Sequence, residues 1–295
     1  MNVKHLLFRL CKPVITPITR AILRRHYHGS QPVKNIGSEQ NVLIIAPHMD
    51  DESIGLGGTI RLHAESGSKI HCLFVTDGSR SVSDYTGTEL SAVRKKEMER
   101  VKPILGITSI EYLDFPDGTL KENAKQLADQ LTKVITTFNP DIIYCTTYVD
   151  AHPDHVTSAE QLARALERLP DKNPVLRLYE INCPFPPDKI NCIIDISRTM
   201  KDKRLAIRQF RSQVIAFDGF LELNRLKANL TTKKVEAAEV FLEMTKQELI
   251  ENTMIAAERH YNYPGLFKQA NRTVTLLWAV FKNLRLKKKI YQSQL

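Results

Sequence analysis

Two short stretches of this chain hold the residue types of a metal-assisted hydrolytic site. Ala46-Pro47-His48-Met49-Asp50-Asp51-Glu52 carries one imidazole and three carboxylates, and Ala151-His152-Pro153-Asp154-His155 adds two imidazoles and a further carboxylate. A lone Asp at such a place would read as a helix cap, and a lone His as a loop residue. Three adjacent carboxylates repel one another, however, and a divalent cation relieves that repulsion. A catalytic zinc site usually takes three protein ligands and keeps a position for water. His48 and Asp51, three apart, can join His155 from the second stretch to supply the three. Asp50 is then left off the metal as general base, and His152 is free to meet a developing oxyanion. Asp154 can orient His152 or stabilise its charge. The chemistry is attack of metal-activated water on an unreactive carbonyl, most naturally an amide. Asp50 or metal-bound water is expected to set the acid limb of the pH profile, and protonated His152 the alkaline limb.

Each stretch follows an apolar run, Val42-Leu43-Ile44-Ile45 and Ile142-Ile143-Tyr144-Cys145. Further apolar runs predict strands over 41–46, 70–76, 110–114, 141–147, 175–181 and 190–195, with helical patterns over 53–66, 89–105, 121–138 and 156–168. That alternation predicts an α/β fold, a Rossmann-like doubly wound and mostly parallel sheet. In the common order 3-2-1-4-5, strands one and four flank the switch-point crevice where ligands bind. His48 and Asp51 are thereby carried toward His155. Beyond residue 198 the pattern reads as helical, over Met200–Val214 and Lys233–Glu243.

Two competing chemistries are disfavoured. Gly55-Leu56-Gly57-Gly58 lacks the Gly-x-Gly-x-x-Gly fingerprint, and the acidic triplet would repel a pyrophosphate at that turn. These glycines are better suited to bringing the first helix close to the sheet. With no Gly-x-Ser-x-Gly elbow in the chain, a serine hydrolase is also disfavoured.

The 295 residues suffice for one substantial core. Five cysteines without paired spacing read as reduced, buried thiols of a cytoplasmic protein. The net charge of +9 is uneven: residues 1–40 carry +6, residues 265–295 carry +7, and the body is acidic at −4. The chain therefore divides into a basic amphipathic segment and linker (1–40), a catalytic domain (41–264) and a basic amphipathic C-terminal helix (265–295). Val3, Leu6, Leu7 and Leu10 share one helical face, and Val274, Leu277, Phe281 and Leu284 repeat at helical spacing around Trp278. Neither end holds the roughly 20 apolar residues that span a bilayer. Both suit peripheral contact with an anionic membrane at its cytoplasmic face, or packing on the domain or a partner subunit. A nucleic-acid partner is not expected, because the basic residues form no reading motif. Nothing in the sequence fixes an oligomeric state.

With these residues in view, the chain resembles the LmbE-like or PIG-L-type zinc N-deacetylases. Pro47-His48-Met49-Asp50-Asp51-Glu52 matches the family's first motif with Met49 in place of the usual Pro, and His152-Pro153-Asp154-His155 matches the second in full. The resemblance extends through Thr76-Asp77-Gly78, Arg94 with Glu97, Asp114-Phe115-Pro116-Asp117-Gly118, Lys203-Arg204-Leu205-Ala206, Ser212-Gln213 and Ala238-Glu239-Val240-Phe241, about residues 40–243. It implies a hydrolase removing acetyl from an N-acetylglucosamine-type amino sugar or its conjugate, lipid-linked or soluble. It also implies zinc, with ferrous iron as the alternative, on His48, Asp51 and His155. Asp50 becomes the general base. His152, partnered by Asp154, stabilises the tetrahedral intermediate and protonates the leaving amine. Arg94 and Asp117 become contacts to sugar hydroxyls. The rival reading is a membrane-surface binding or scaffold protein on a non-catalytic fold of the same kind.

Overall fold

The computed structural model describes residues 3–38, 41–81 and 83–292, with side chains described for residues 10–291 among them. The six expected strands are present as β1 (Asn41–Ala46), β2 (Lys69–Thr76), β3 (Ser109–Phe115), β4 (Ile142–Thr146), β5 (Val175–Tyr179) and β6 (Cys192–Asp195), and a seventh, β7, spans Ala238–Met244. They form one sheet in the order β3-β2-β1-β4-β5-β7-β6. Strands β1 to β5 are parallel, and β7 runs antiparallel between β5 and β6. Every residue of β4, and of β1 from Val42 on, is buried, as expected for central parallel strands covered on both faces. Helices α2 (Asp51–Glu65), α3 (Gly87–Leu105), α4 (Ala124–Phe138) and α5 (Pro153–Glu167) connect the parallel strands.

The glycines of α2 do bring that helix close to the sheet. A Cβ on Gly55 would lie 2.3 Å from the Tyr179 ring, and one on Gly58 2.7 Å from Ile196. A buried ion pair braces the same helix. Glu239 on β7 accepts from the Gly58 and Thr59 N–H groups, while Lys203 donates to Glu239 (2.6 Å) and to the Ile54 carbonyl (2.7 Å).

That pair also explains a difference from the sequence reading. Residues 233–243 read as helical, yet 238–244 are β7. Glu239, a charge inside the apolar run, mimics the polar position of an amphipathic helix, whereas it lies buried against Lys203. The expected helix over Met200–Val214 ends early, as α6 (Met200–Ile207). Glu97 accepts from both the Ser212 N–H (2.9 Å) and hydroxyl (2.7 Å), which holds the chain after α6 in an irregular path. Helices α7 (Asp218–Lys227) and α8 (Lys246–Glu258) follow.

At the N-terminus, α1 (Val3–His26) buries Thr19 and Leu23, Tyr27 just beyond it is buried as well, and Arg20 of the helix pairs with Glu222 of α7 at 2.6 Å. Val3, Leu6 and Leu7 of the expected apolar face lie outside the described side chains. The C-terminal stretch is a series of short helices, α9 (Tyr263–Leu266), α10 (Leu276–Phe281) and α11 (Leu284–Gln292), in place of the one helix expected. Asn283, in the left-handed region at φ 53°, separates the last two. Lys287 and Tyr291 of α11 are buried, and the Tyr291 hydroxyl lies 3.0 Å from the Thr147 hydroxyl. Four of the cysteines, Cys72, Cys145, Cys183 and Cys192, are buried free thiols. Among the described residues no helix is long and apolar enough to cross a membrane.

Candidate metal centre

Strands β1 and β4 pair with Ile45 opposite Cys145, so the two loops that follow leave the sheet at one level. The first loop turns directly into α2. The second ends at His152, which caps α5, with Pro153 in the first turn where a missing N–H costs nothing. The cap fixes the ring: His152 Nδ1 accepts the Asp154 N–H at 3.3 Å, leaving Nε2 as the other polar atom of the imidazole.

Three donor atoms meet between the loops. His48 Nδ1 and His155 Nε2 each lie 3.2 Å from Asp51 Oδ2, and the two nitrogens are 3.3 Å apart. A tetrahedral ion with bonds of about 2.0–2.1 Å spaces its donors about 3.3–3.4 Å apart. The triangle therefore fits a zinc-sized cation, and two imidazoles with one carboxylate suit zinc or ferrous iron. The His152 ring stands beside it, its centroid 4.4 Å from that of His48 and 5.0 Å from that of His155.

The electrostatics favour positive charge at this point. Burial alone would lower the pKa of His48, yet hydrogen bonds to Asp117, Asp154 and Asp51 hold it well above its ordinary value. Burial acts likewise on His155, where Asp51 and Asp150 prevail and raise it to about 10. Asp51 is held far below the usual carboxylate range by the same two imidazoles, against the effect of burial. Asp50 behaves differently. Burial pushes it up to about 6, with Arg94 opposing and Asp51 adding to the rise. A buried carboxylate titrating there can take and return a proton near neutral pH.

The backbone at Asp50 is strained, with φ 145°, a conformation rare for a non-glycine residue. Several contacts hold it. The Asp50 N–H donates to Glu52 (3.0 Å), Gln213 donates to the Asp50 carboxylate (2.6 Å), and the preceding Met49 carbonyl accepts from Arg94 (2.7 Å) and Gln213 (3.3 Å). Met49, which stands where the family motif has Pro, is fully buried.

All eight residues singled out by the sequence fall in or against this site, although not all in the expected pairings. Arg94, 1 % exposed, donates to the Gly78 and Met49 carbonyls and the Ser81 hydroxyl, and lies 3.5 Å from Asp50. Asp117 reaches His48 Nε2 at 3.2 Å and accepts the Arg80 N–H. The Asp154 carboxylate accepts the Gly118 and Leu120 N–H groups and lies 3.5 Å from His48, so Asp154 meets His152 through its backbone N–H. Burial and the neighbouring His48 and His155 lower the His152 pKa to about 4, with Asp154 and Asp150 opposing.

Two contributors were missed. Asp150 lies 3.1 Å from His155 Nδ1 and also accepts from the His152 N–H and from Asn182. Its only mark in the sequence is its place at the start of the second loop. Gln213, quoted as part of a motif but given no role, is the partner of Asp50. His48, Asp50, Asp51, Arg94, Asp117, His152, His155 and Gln213 line a cavity of about 230 Å³, with Asp150 and Asp154 behind them, and its remaining walls include Ile181, Asn182, Ile215, Phe220, Gln269 and Asn271.

The chain is similar to known deacetylases. The family described as GlcNAc-PI de-N-acetylase (PIG-L) matches residues 43–166, which contain both loops. The chain is 31% identical over 192 residues to a probable N-acetyl-α-D-glucosaminyl L-malate deacetylase 2 of Bacillus cereus, covering 60% of this chain and 86% of the relative. It is 33% identical over 188 residues to the diacetylchitobiose deacetylase of Thermococcus kodakarensis, covering 59% of this chain and 70% of the relative. The solved N,N'-diacetylchitobiose deacetylase of Pyrococcus horikoshii is similar with a TM-score of 0.60 and 28% identity, over 71% of this chain and 85% of that one.

Proposed function

The chain belongs to the PIG-L (LmbE-like) deacetylase family, and from that premise we propose a metal-dependent hydrolase that removes the N-acetyl group from an N-acetylglucosamine-type amino sugar or its conjugate. The observation that carries the reading is the donor triangle of His48, Asp51 and His155, with Asp50 and His152 beside it in one cavity. Those three residues would hold the ion, zinc by preference and ferrous iron as the alternative. When bound, the ion supplies a water of lowered pKa and polarises the amide carbonyl.

The chain's own groups then divide the work. Asp50, oriented by Gln213, takes a proton from the attacking water. His152, its Nδ1 tied to the Asp154 N–H, offers Nε2–H to the carbonyl oxygen as negative charge builds there. The C–N bond breaks as the proton held by Asp50 passes to the leaving nitrogen, which gives acetate and a free amine. Arg94 and Asp117 are the proposed contacts to sugar hydroxyls. A lipid-linked form of the sugar, met at the cytoplasmic membrane face, is the finer proposal, supported by the +6 and +7 charges of residues 1–40 and 265–295.

Acetate release across a panel of N-acetylglucosamine conjugates, soluble and lipid-linked, tests the reading. Release from at least one member, abolished by chelation and restored by zinc or ferrous iron, is expected. No release from any member by metal-loaded protein would contradict it.

A further inference from the structure

Helix α1 has two faces of unlike character. One packs on the domain through Thr19 and Leu23, continued by Tyr27 just past the helix. The other is apolar and open: Leu10, Val14, Ile18 and Ile22 are 68%, 65%, 52% and 41% exposed, and Pro13, Pro17 and Ala21 between them are exposed as well. Positions 10, 13, 14, 17, 18, 21 and 22 trace one continuous helical stripe. A soluble surface scatters its exposed apolar side chains singly, and a stripe of this kind marks an interaction face.

The stripe continues onto the C-terminal segment. His26, one turn beyond Ile22, meets Phe281 with ring centroids 4.9 Å apart. Trp278, one turn before Phe281 on α10, is 55% exposed, with Lys268 and Lys282 each within 6 Å of its ring. Charge identifies the occupant. Helix α1 has no acidic residue, and Arg24 and Arg25 are exposed beside the stripe. A second copy would meet this face with the same positive charges, whereas anionic lipid headgroups complement them.

We propose that the outward face of α1, extended by Phe281 and Trp278, docks on an anionic lipid bilayer and lies in the plane of its interface. Apolar side chains enter the headgroup–acyl boundary, arginines meet the headgroups, and the tryptophan sits at the interfacial level. The docked helix is one layer from the cavity. Lys12 pairs with Asp218 at 2.8 Å, Gly219 donates to the Asn271 carbonyl, and Phe220 and Asn271 line the cavity wall. The proposal is independent of the catalytic reading, because it concerns a surface that contains none of the site residues.

Trp278 is the chain's single tryptophan, so its fluorescence reports on this face alone. Full-length protein is titrated with phosphatidylcholine vesicles, with and without phosphatidylglycerol, at low and high salt. A blue shift and co-sedimentation with the anionic vesicles only, weakened by salt, are expected. Arg24→Gln with Arg25→Gln should weaken partitioning roughly fivefold per arginine. Val14→Asp with Ile18→Asp should abolish it, while release of acetate from a soluble substrate and the far-UV spectrum stay unchanged. Both pairs lie on the exposed face, and the wild-type titration stands even where a variant fails to fold. The proposal is overturned by wild-type protein that ignores anionic vesicles at low salt. A wild-type dimer that Val14→Asp with Ile18→Asp converts to monomer would overturn it too, because the stripe would then belong to a second copy.

Discussion

Asp150 holds His155 from behind: its Oδ1 lies 3.1 Å from His155 Nδ1, while Nε2 of the same ring faces Asp51. In the proposed metal site a carboxylate at that distance would fix which nitrogen is left to coordinate and raise its basicity. Asp150→Asn keeps the size of the group and weakens that contact. Metal affinity should fall about 10–100-fold, measured by competition with a zinc chelator, with the fold retained. Unchanged affinity would show that the ring is oriented by packing alone.

His152 is the proposed oxyanion donor of this site. His152→Ala should leave bound metal and substrate affinity intact and lower kcat about 10²–10³-fold, the usual cost of one oxyanion donor. A His152 held neutral, the direction in which burial pushes it, contributes no alkaline limb. The alkaline side of the kcat profile should therefore keep its shape in the variant. A limb that disappears with His152 would restore the protonated imidazole expected from the sequence.

The close approach of α2 to the sheet has a direct test. Gly55→Ala places a methyl group 2.3 Å from the ring of Tyr179, which is anchored by its hydroxyl to the Ile45 carbonyl. Stability should fall by about 1–3 kcal/mol, the usual cost of overpacking, seen as a lower urea midpoint. A gain, as alanine gives in an open helix, would show that α2 can move off the sheet.

Away from the site, His63 is buried next to Tyr144, whose hydroxyl lies 2.9 Å from His63 Nε2 and accepts from Arg177. Burial, with Arg177 adding, lowers the His63 pKa to about 3 from 6.5. The unfolded chain therefore binds a proton that the folded chain refuses. The stability from His63 is complete above pH 6.5 and is lost as pH falls through that window toward 3, with a slope of up to about 1.4 kcal/mol per pH unit. In urea melts between pH 7 and 4, His63→Gln should flatten the acid decline. An identical slope in both proteins would remove His63 as a cause.

The order of the central strands and the convergence of His48, Asp51 and His155 were legible because both depend on local pattern. Apolar runs alternate with helical ones, and each chemical cluster follows its strand directly. Asp150 and Gln213 were not legible as site residues. The first is an acid at the start of a loop, and the second reaches Asp50 only because Glu97 holds the chain at Ser212. β7 was misread for a similar reason, since the partner that permits Glu239 inside a strand is Lys203, 36 residues away in sequence.

In the proposed mechanism three side chains hold a metal ion while Asp50, adjacent to them, moves the proton. Metal content and acetate release measured together on wild type and Asp50→Asn test it most directly. One divalent ion per chain is expected in both proteins. Turnover in the variant should fall by about 10²–10⁴-fold, the share supplied by a general base. Wild-type turnover without bound metal, or full activity in the metal-loaded variant, would contradict it.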